Sequence, residues 1–308
     1  MKKILVIILL TSFLGFGQKR QIDNFKITIL STMLSDSHLG EWGFAALIEV
    51  DGEKILFDTG SREKTVIQNA RELNVDLNNI QNVYLSHNHK DHTGGLMSLK
   101  EEYTNSFSKA HIGKGIFYSR PRKDGTDHYL LENKAKLEKS GVSFITHETA
   151  TQILPKVWTT GYVPRIYDEK NWSRLGKLID GNGNKIEDTI PEDQSLFFDT
   201  KNGVVLVSGC GHAGLVNTLE HVSNILPNRP IYKIIGGFHL LKLSDEKLKW
   251  TTNKMNEFGV KYFVGAHCTG INSTYTIRDN MNASKEQVLV GSVGTYITQE
   301  GITPGYME

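Results

Sequence analysis

An α/β fold is what this chain predicts: layers of sheet with helices on their outer faces, in two similar halves. Three observations carry that expectation. Strand-like runs pair first as hairpins and then alternate with helical runs, early in the chain and again late in it. Hydrophobic residues make up 39% of the 308 positions and charged residues 22%, which is enough apolar mass for a sizeable core. There are 29 glycines but only 7 prolines, so tight turns rather than proline-rich linkers join the elements. A formal net charge of +1 argues against a nucleic-acid binder working by bulk charge, since phosphate neutralisation needs a clustered basic surplus.

The elements follow in order. Residues 1–17 read as a secretory signal peptide: Lys2 and Lys3 precede the apolar run Ile4–Leu14, and Gly15 and Gly17 offer small residues for a cut before Gln18. The run is too short for a comfortable membrane span. An exported protein, periplasmic or extracellular, with no stable membrane anchor after cleavage is expected. Strands are expected at Lys26–Leu30, Phe44–Val50 and Lys54–Phe57, the last two joined by the hairpin signal Asp51-Gly52. A helix at Arg62–Leu73, a short strand at Val83–Leu85 and a helix from Gly95 to Glu102 come next. The segment from about 103 to 191 has the least regular pattern and reads as an insertion within a single domain, 18–308. Strands return at Ser195–Phe198 and Val204–Val207. A helix at Leu215–Leu226 and a strand at Ile231–Ile235 follow. Ser244 can cap a helix ending before Gly259. Strands at Tyr262–Val264 and Gln287–Val290 close the series.

The densest chemistry is Ser86-His87-Asn88-His89-Lys90-Asp91-His92-Thr93-Gly94-Gly95, directly after a strand. Strand spacing sends His87 and His89 to one side, and the loop can turn Asp91 and His92 toward a second point. Neutral imidazole and carboxylate suit Zn²⁺ and, less selectively, Mn²⁺ or Fe²⁺. The only cysteines, Cys210 and Cys268, each sit beside a histidine, in Cys210-Gly211-His212 and His267-Cys268. Outside the cytoplasm they could form one disulfide; the flanking imidazoles point to a metal environment instead.

The run His87–His92 resembles the His-x-His-x-Asp-His signature of the metallo-β-lactamase superfamily. Phe57-Asp58-Thr59-Gly60 is similar to that superfamily's first motif, which implies that Asp58 supports the metal loop by hydrogen bonds. Cys210, in Ser208-Gly209-Cys210, would stand where an aspartate usually bridges two metals, and His267 matches the last metal histidine. The mid-chain histidine of the superfamily has no counterpart in Thr159–Arg165, so His212 is expected to replace it. The resemblance implies a four-layer αββα sandwich. It also implies two divalent ions, zinc first and manganese or iron as alternatives, held by His87, His89, Asp91, His92, Cys210, His212 and His267. Asp91 would shuttle a proton, and His239, just past a strand, would line the pocket as acid or oxyanion donor. His38, His111, His128, His147 and His221 lie outside any motif and read as ordinary core or surface.

Gly209–Thr218, Gly236–Leu240 and His267–Gly270 resemble one branch, named for 7,8-dihydropterin-6-methyl-4-(β-D-ribofuranosyl)aminobenzene-5′-phosphate synthase. The expected function is a secreted hydrolase that uses a metal-bridging hydroxide on a small ester, phosphodiester or lactone. The alternatives are the pterin-linked synthase, a β-lactamase, or a non-catalytic metal-dependent binding protein. The expected partner is a small-molecule substrate. Arg165 could meet an anionic group on it, and Trp42 and Phe44 could form an apolar lip or be ordinary core.

Overall fold

A computed structural model describes residues 21–171 and 176–306. The expected signal peptide, 1–17, lies outside the described residues. The first half runs β1 (Phe25–Ser31), β2 (Ala45–Val50), β3 (Glu53–Phe57), α1 (Thr65–Glu72), β4 (Asn82–Tyr84), the single turn α2 (Lys90–Thr93), α3 (Leu96–Glu102), β5 (Lys109–Gly113), α4 (Tyr129–Lys139) and β6 (Ser143–His147). The second runs β7 (Thr151–Leu154), β8 (Val157–Thr159), the ribbon β9 (Lys177–Ile179) and β10 (Lys185–Glu187), then β11 (Leu196–Thr200), β12 (Gly203–Ser208), α5 (Leu215–Ile225), β13 (Ile231–Gly236), α6 (Asp245–Glu257), β14 (Tyr262–Gly265), α7 (Ile271–Met281) and β15 (Val288–Val290). β16 (Tyr296–Thr298) and β17 (Ile302–Thr303) end the described chain.

Two mixed sheets result. One has the order β17-β16-β1-β2-β3-β4-β5-β6 and the other β15-β14-β13-β12-β11-β8-β7. The period-2 alternation of β2 shows why they stack. Ala46, Ile48 and Val50 face the second sheet with Ile27, Phe57, Phe198, Val207 and Ile235. Ala45 and Leu47 face the helical side with Leu56, Val66, Ala70, Leu99 and Leu137. On the far side of the second sheet Leu206 and Ile234 pack with Leu215 and Leu219 of α5, Leu248 and Met255 of α6 and Ile277 of α7. Helices thus cover both outer faces, and the architecture is the four-layer αββα sandwich. Each fully buried aliphatic or Phe side chain contributes about 1.5–3 kcal/mol of transfer free energy, so the layers are held mainly by these three clusters.

The local signals act as chemistry requires. Asp51 and Gly52 both have positive φ, 46° and 91°, the conformation a tight hairpin needs. Ser244 Oγ accepts the backbone N–H of Lys247 and caps α6, and Gly259 follows that helix at φ 87°.

The structure differs from the sequence reading in three places. The stretch 103–191, expected to be irregular, supplies β5, α4 and β6 to one sheet edge and β7 and β8 to the other. These edge strands are short, and β6 is largely exposed, so the alternation that marks a central strand is missing. α7 was not expected: its buried Ser273, Thr274 and Ile277 share a face at helical spacing, but two of the three are polar. β15 does not close the structure either. β16 returns to pair antiparallel with β1, Ile297 opposite Ile27.

Candidate metal centre

The candidate ligands sit where β4, β12, β13 and β14 end, all at one edge of the sandwich. Asp58 follows β3 at φ 53° and is fully buried. Its Oδ1 accepts the Ser86 backbone N–H at 2.8 Å. Its Oδ2 accepts the Ser86 hydroxyl at 2.8 Å and faces His92 Nδ1 at 2.7 Å. Asp58 therefore fixes the loop after β4 and turns His92 Nε2 into the site, where it lies 3.2 Å from Cys210 Sγ. Gly209 makes that meeting of the two halves sterically allowed: a Cβ there would fall 2.1 Å from Ser86 Oγ and 2.7 Å from Asp58 Oδ2.

The imidazoles converge. The His87 ring lies 4.6 Å from that of His89, 4.2 Å from His92 and 4.7 Å from His212. His212 stands 4.9 Å from His89, and its Nδ1 faces the Asn171 carbonyl. His212, from two residues past Cys210, thus stands beside both His87 and His89. His267, at φ 46°, brings Nε2 to 3.2 Å from Asp91 Oδ2, and Asp91 lies 3.9 Å from His92 Nε2. Donor atoms fall into sets whose members lie within 4.8 Å of one another: His87, His89 and His212; Asp91, His92 and His267; His87, His92 and Cys210; Cys210, His239 and Cys268.

Among the described residues, five buried imidazole nitrogens of this cluster form no hydrogen bond: His87 Nε2, His212 Nε2, His239 Nδ1 and both nitrogens of His267. Leaving such groups unpaired in a dry site costs about 1–3 kcal/mol each. Lone pairs aimed at shared points are instead what cation coordination needs, so these residues fit a metal centre. Protonation follows the same logic. Burial and the neighbouring imidazoles hold His87 and His212 well below the ordinary histidine value, and burial holds His89 at about 4. Burial also opposes the charge on His92, but the Asp58 and Asp91 carboxylates outweigh it and raise that histidine to about 9. In the ion-free chain His92 carries a proton that an incoming cation must displace.

Comparison with known proteins agrees with the fold. A metal-dependent hydrolase of the beta-lactamase superfamily is 26% identical and superimposes with a TM-score of 0.71, covering 89% of this chain and 98% of its own. The chain has the metallo-β-lactamase fold. The 7,8-dihydropterin-6-methyl-4-(beta-D-ribofuranosyl)-aminobenzene-5'-phosphate synthase of Methanocaldococcus jannaschii is 29% identical over 288 residues, 89% of this chain and 97% of the relative. An uncharacterized protein of the same organism is 32% identical over 234 residues, 74% of this chain and 84% of the relative. A family model described as anti-Pycsar protein Apyc1 matches residues 25–121.

Around this candidate centre of the metallo-β-lactamase fold, other expected residues are placed as follows. Trp42 is 49% exposed with its ring 4.8 Å from that of His267, at the mouth. Phe44 is core between the sheets and forms no lip. His239 is half-buried beside His212, ring centres 4.6 Å apart. Arg165 donates to the carbonyls of Thr189 and Ile190, which ties it to the segment after β10. Cys210 and Cys268 are free thiols with sulfurs 3.3 Å apart.

Three supporting residues went unnoticed in the sequence. Glu41, buried, accepts from Ser31 Oγ, Ser61 N, Arg62 N and Thr65 Oγ1, and so shapes the loop after Gly60. Asp193, also buried, accepts the Ala213 N–H at 2.9 Å and holds the turn that carries His212; burial raises its carboxyl to about 6. Asn171 supplies the carbonyl behind His212. Only a buried acid with several loop donors marks the first two, and nothing local in the sequence signals it.

Proposed function

We propose that this protein is an exported metal-dependent hydrolase acting on a small ester, phosphodiester or lactone. The observation that carries the proposal is the convergence of unpartnered imidazole nitrogens with a carboxylate and a thiol at one edge of a metallo-β-lactamase sandwich. His87, His89 and His212 would hold one ion, and Asp91, His92 and His267 a second, with Cys210 between them. Zinc suits this imidazole and thiolate set best, with manganese or iron as alternatives. Bound ions of this kind supply a water activated at neutral pH and a Lewis acid for a carbonyl or phosphoryl oxygen.

The chain's own residues would do the rest. Asp91 is the site carboxylate that reaches the surface, its side chain 21% exposed, so it is placed to hold or hand on a proton at Oδ2. Its carboxyl is opposed by burial, but His92 and His267 outweigh that and hold it below the usual carboxylate range, so it works as a base first. His239, its ring 4.6 Å from that of His212, would donate to an oxyanion on the substrate. Trp42 would cover His267 and shed water from the mouth.

A second reading, a pterin-linked synthase, is favoured by the likeness to the archaeal synthase across nearly its whole length. Export is what separates the two, since intracellular cofactor assembly has no use for a secreted enzyme. The test is elemental analysis of the purified mature protein together with turnover of chromogenic phosphodiester, phosphonate, lactone and cephalosporin substrates. Metal-dependent diester, ester or lactone hydrolysis that His87→Ala and Asp91→Ala each reduce by roughly a thousandfold or more, in a folded protein, is the expected result. Turnover that survives either substitution, or cephalosporin cleavage alone, overturns the proposal.

A further inference from the structure

One set of donors is used by neither ion position of the proposed hydrolase in full. We infer that Cys210, Cys268 and His239 form a thiophilic cation position of their own, fit for a d¹⁰ ion such as Zn²⁺ or Cd²⁺. This deepens the proposed function, because Cys210 is shared with that centre, but it does not depend on hydrolysis.

Four observations carry it. First, donor atoms of these residues lie within 4.8 Å of one another, and the two sulfurs are 3.3 Å apart. A Zn–S bond is about 2.3 Å, so a tetrahedral ion would ask the sulfurs to part by only about half an ångström. Second, both cysteines are buried, 1% and 0% exposed. Third, His239 sits at φ 51°, an unfavourable region for a side chain with a Cβ, and the same residue aims its backbone N–H at Cys268 Sγ from 3.3 Å. Such strain persists where surrounding structure enforces it, and it clusters at ligand sites. The ring's Nδ1 is buried without a partner. Fourth, Gly237 clears the space: a Cβ there would fall 2.9 Å from Cys268 Sγ and 2.0 Å from the Gly209 carbonyl.

Cys268 itself sits beside His267 at the end of β14, so the same loop offers an imidazole to one ion position and a thiolate to the other. Two thiolates and an imidazole make a softer set than the histidine and carboxylate sets beside them. The two kinds of position should therefore differ in cation preference, with Cd²⁺ favouring the cysteines.

The experiment uses the full mature chain, reduced and loaded with Cd²⁺ or Co²⁺, and reads bound equivalents and the thiolate-to-metal charge-transfer absorption. Wild type should show the band of two sulfurs. Cys268→Ser should lose about half of its intensity and one tightly held equivalent of Cd²⁺. His87→Ala should leave the band in place while removing an imidazole-held equivalent. His239→Ala, which keeps both thiols and the backbone N–H on Cys268 Sγ, should weaken Cd²⁺ binding at the cysteines roughly tenfold or more, and it decides the matter if Cys268→Ser does not fold. A Cys268→Ser protein with undiminished band and stoichiometry overturns the inference, as does unchanged Cd²⁺ affinity in His239→Ala. Ions bound with no thiolate band overturn this inference and the placing of Cys210 between the ions, and leave the imidazole and carboxylate positions standing; no ion bound under any loading overturns the proposed function as well.

Discussion

Replacing Asp58 by Asn should cripple the metal centre without touching a ligand. The carboxylate accepts three donors: Ser86 N–H on Oδ1, and Ser86 O–H and His92 Nδ1–H on Oδ2. An amide of the same shape has one acceptor. If its oxygen stays over Ser86 N, its NH₂ confronts the other two donors. Hydrogen bonds to a charged group are worth about 1.5–3 kcal/mol each, so losing two removes about 3–6 kcal/mol. Ser86 Oγ recovers part of this by turning its hydrogen toward His87 Nδ1, 2.9 Å away, which leaves a net cost of about 2–4 kcal/mol. His92 has no such escape. Without a carboxylate at Nδ1 the ring loses the contact that orients Nε2, the nitrogen facing Cys210 and the ion positions. Loss of an orienting carboxylate behind a ligating histidine costs about 10–100-fold in metal affinity. The assay is Zn²⁺ competition against a chromophoric chelator, run beside denaturant unfolding of the ion-free protein. A variant that binds Zn²⁺ within about twofold of wild type and unfolds at the same denaturant concentration refutes the reasoning.

Other outcomes test neighbouring parts of the argument. Tyr84→Phe removes a buried hydroxyl that lies 2.8 Å from Thr159 Oγ1 and donates to the Ser195 carbonyl, bridging the two sheets; it should cost about 1–3 kcal/mol in denaturant unfolding, and a cost near zero would mean the bridge contributes nothing. Trp42→Ala should raise KM about 5–30-fold with metal content unchanged, through the loss of about 1–2 kcal/mol of contact at the mouth; an equal fall in kcat with KM unchanged would show that the ring acts on His267 and not on substrate. His111, in hydrogen-bond contact with His147 at 3.0 Å, is held at about 4 by burial and then by its histidine and lysine neighbours. Its folded value lies below the unfolded value of about 6.5, so the unfolded chain binds the proton first as pH falls. Stability should be full above about pH 6.5 and fall by about 3 kcal/mol toward pH 4, and His111→Gln should flatten that slope in pH-dependent unfolding; an unaltered slope would place the acid sensitivity elsewhere.

What the sequence displays and what it hides divide along a physical line. The ligand runs are legible because each is short, contiguous and follows an apolar strand: His87 to His92 after β4, Cys210 and His212 after β12, His267 after β14. Central strands are legible for the same reason, since both their faces are buried and they read as near-continuous apolar runs. The edges are not. β6 carries exposed residues on both faces, and β5 places His111 in the core, so neither shows a period. α7 buries Ser273 and Thr274, which a hydrophobic pattern cannot report.

The contacts that turn two half-sites into one centre are of the second kind. Gly209 must lack a side chain because Ser86 and Asp58, from the other half of the chain, press against it. Asp193, far from any motif, holds the turn of His212 by a backbone hydrogen bond. Cys268 becomes a candidate ligand only because Gly237 makes room for its sulfur beside that of Cys210. Each of these is a relation between residues distant in sequence, and each is steric or electrostatic rather than periodic. The donors of this centre can therefore be named from one strand end at a time, whereas their coordination number depends on how tightly the two sheets close, and substitutions at Gly209, Gly237 and Asp193 should alter it without removing a single donor.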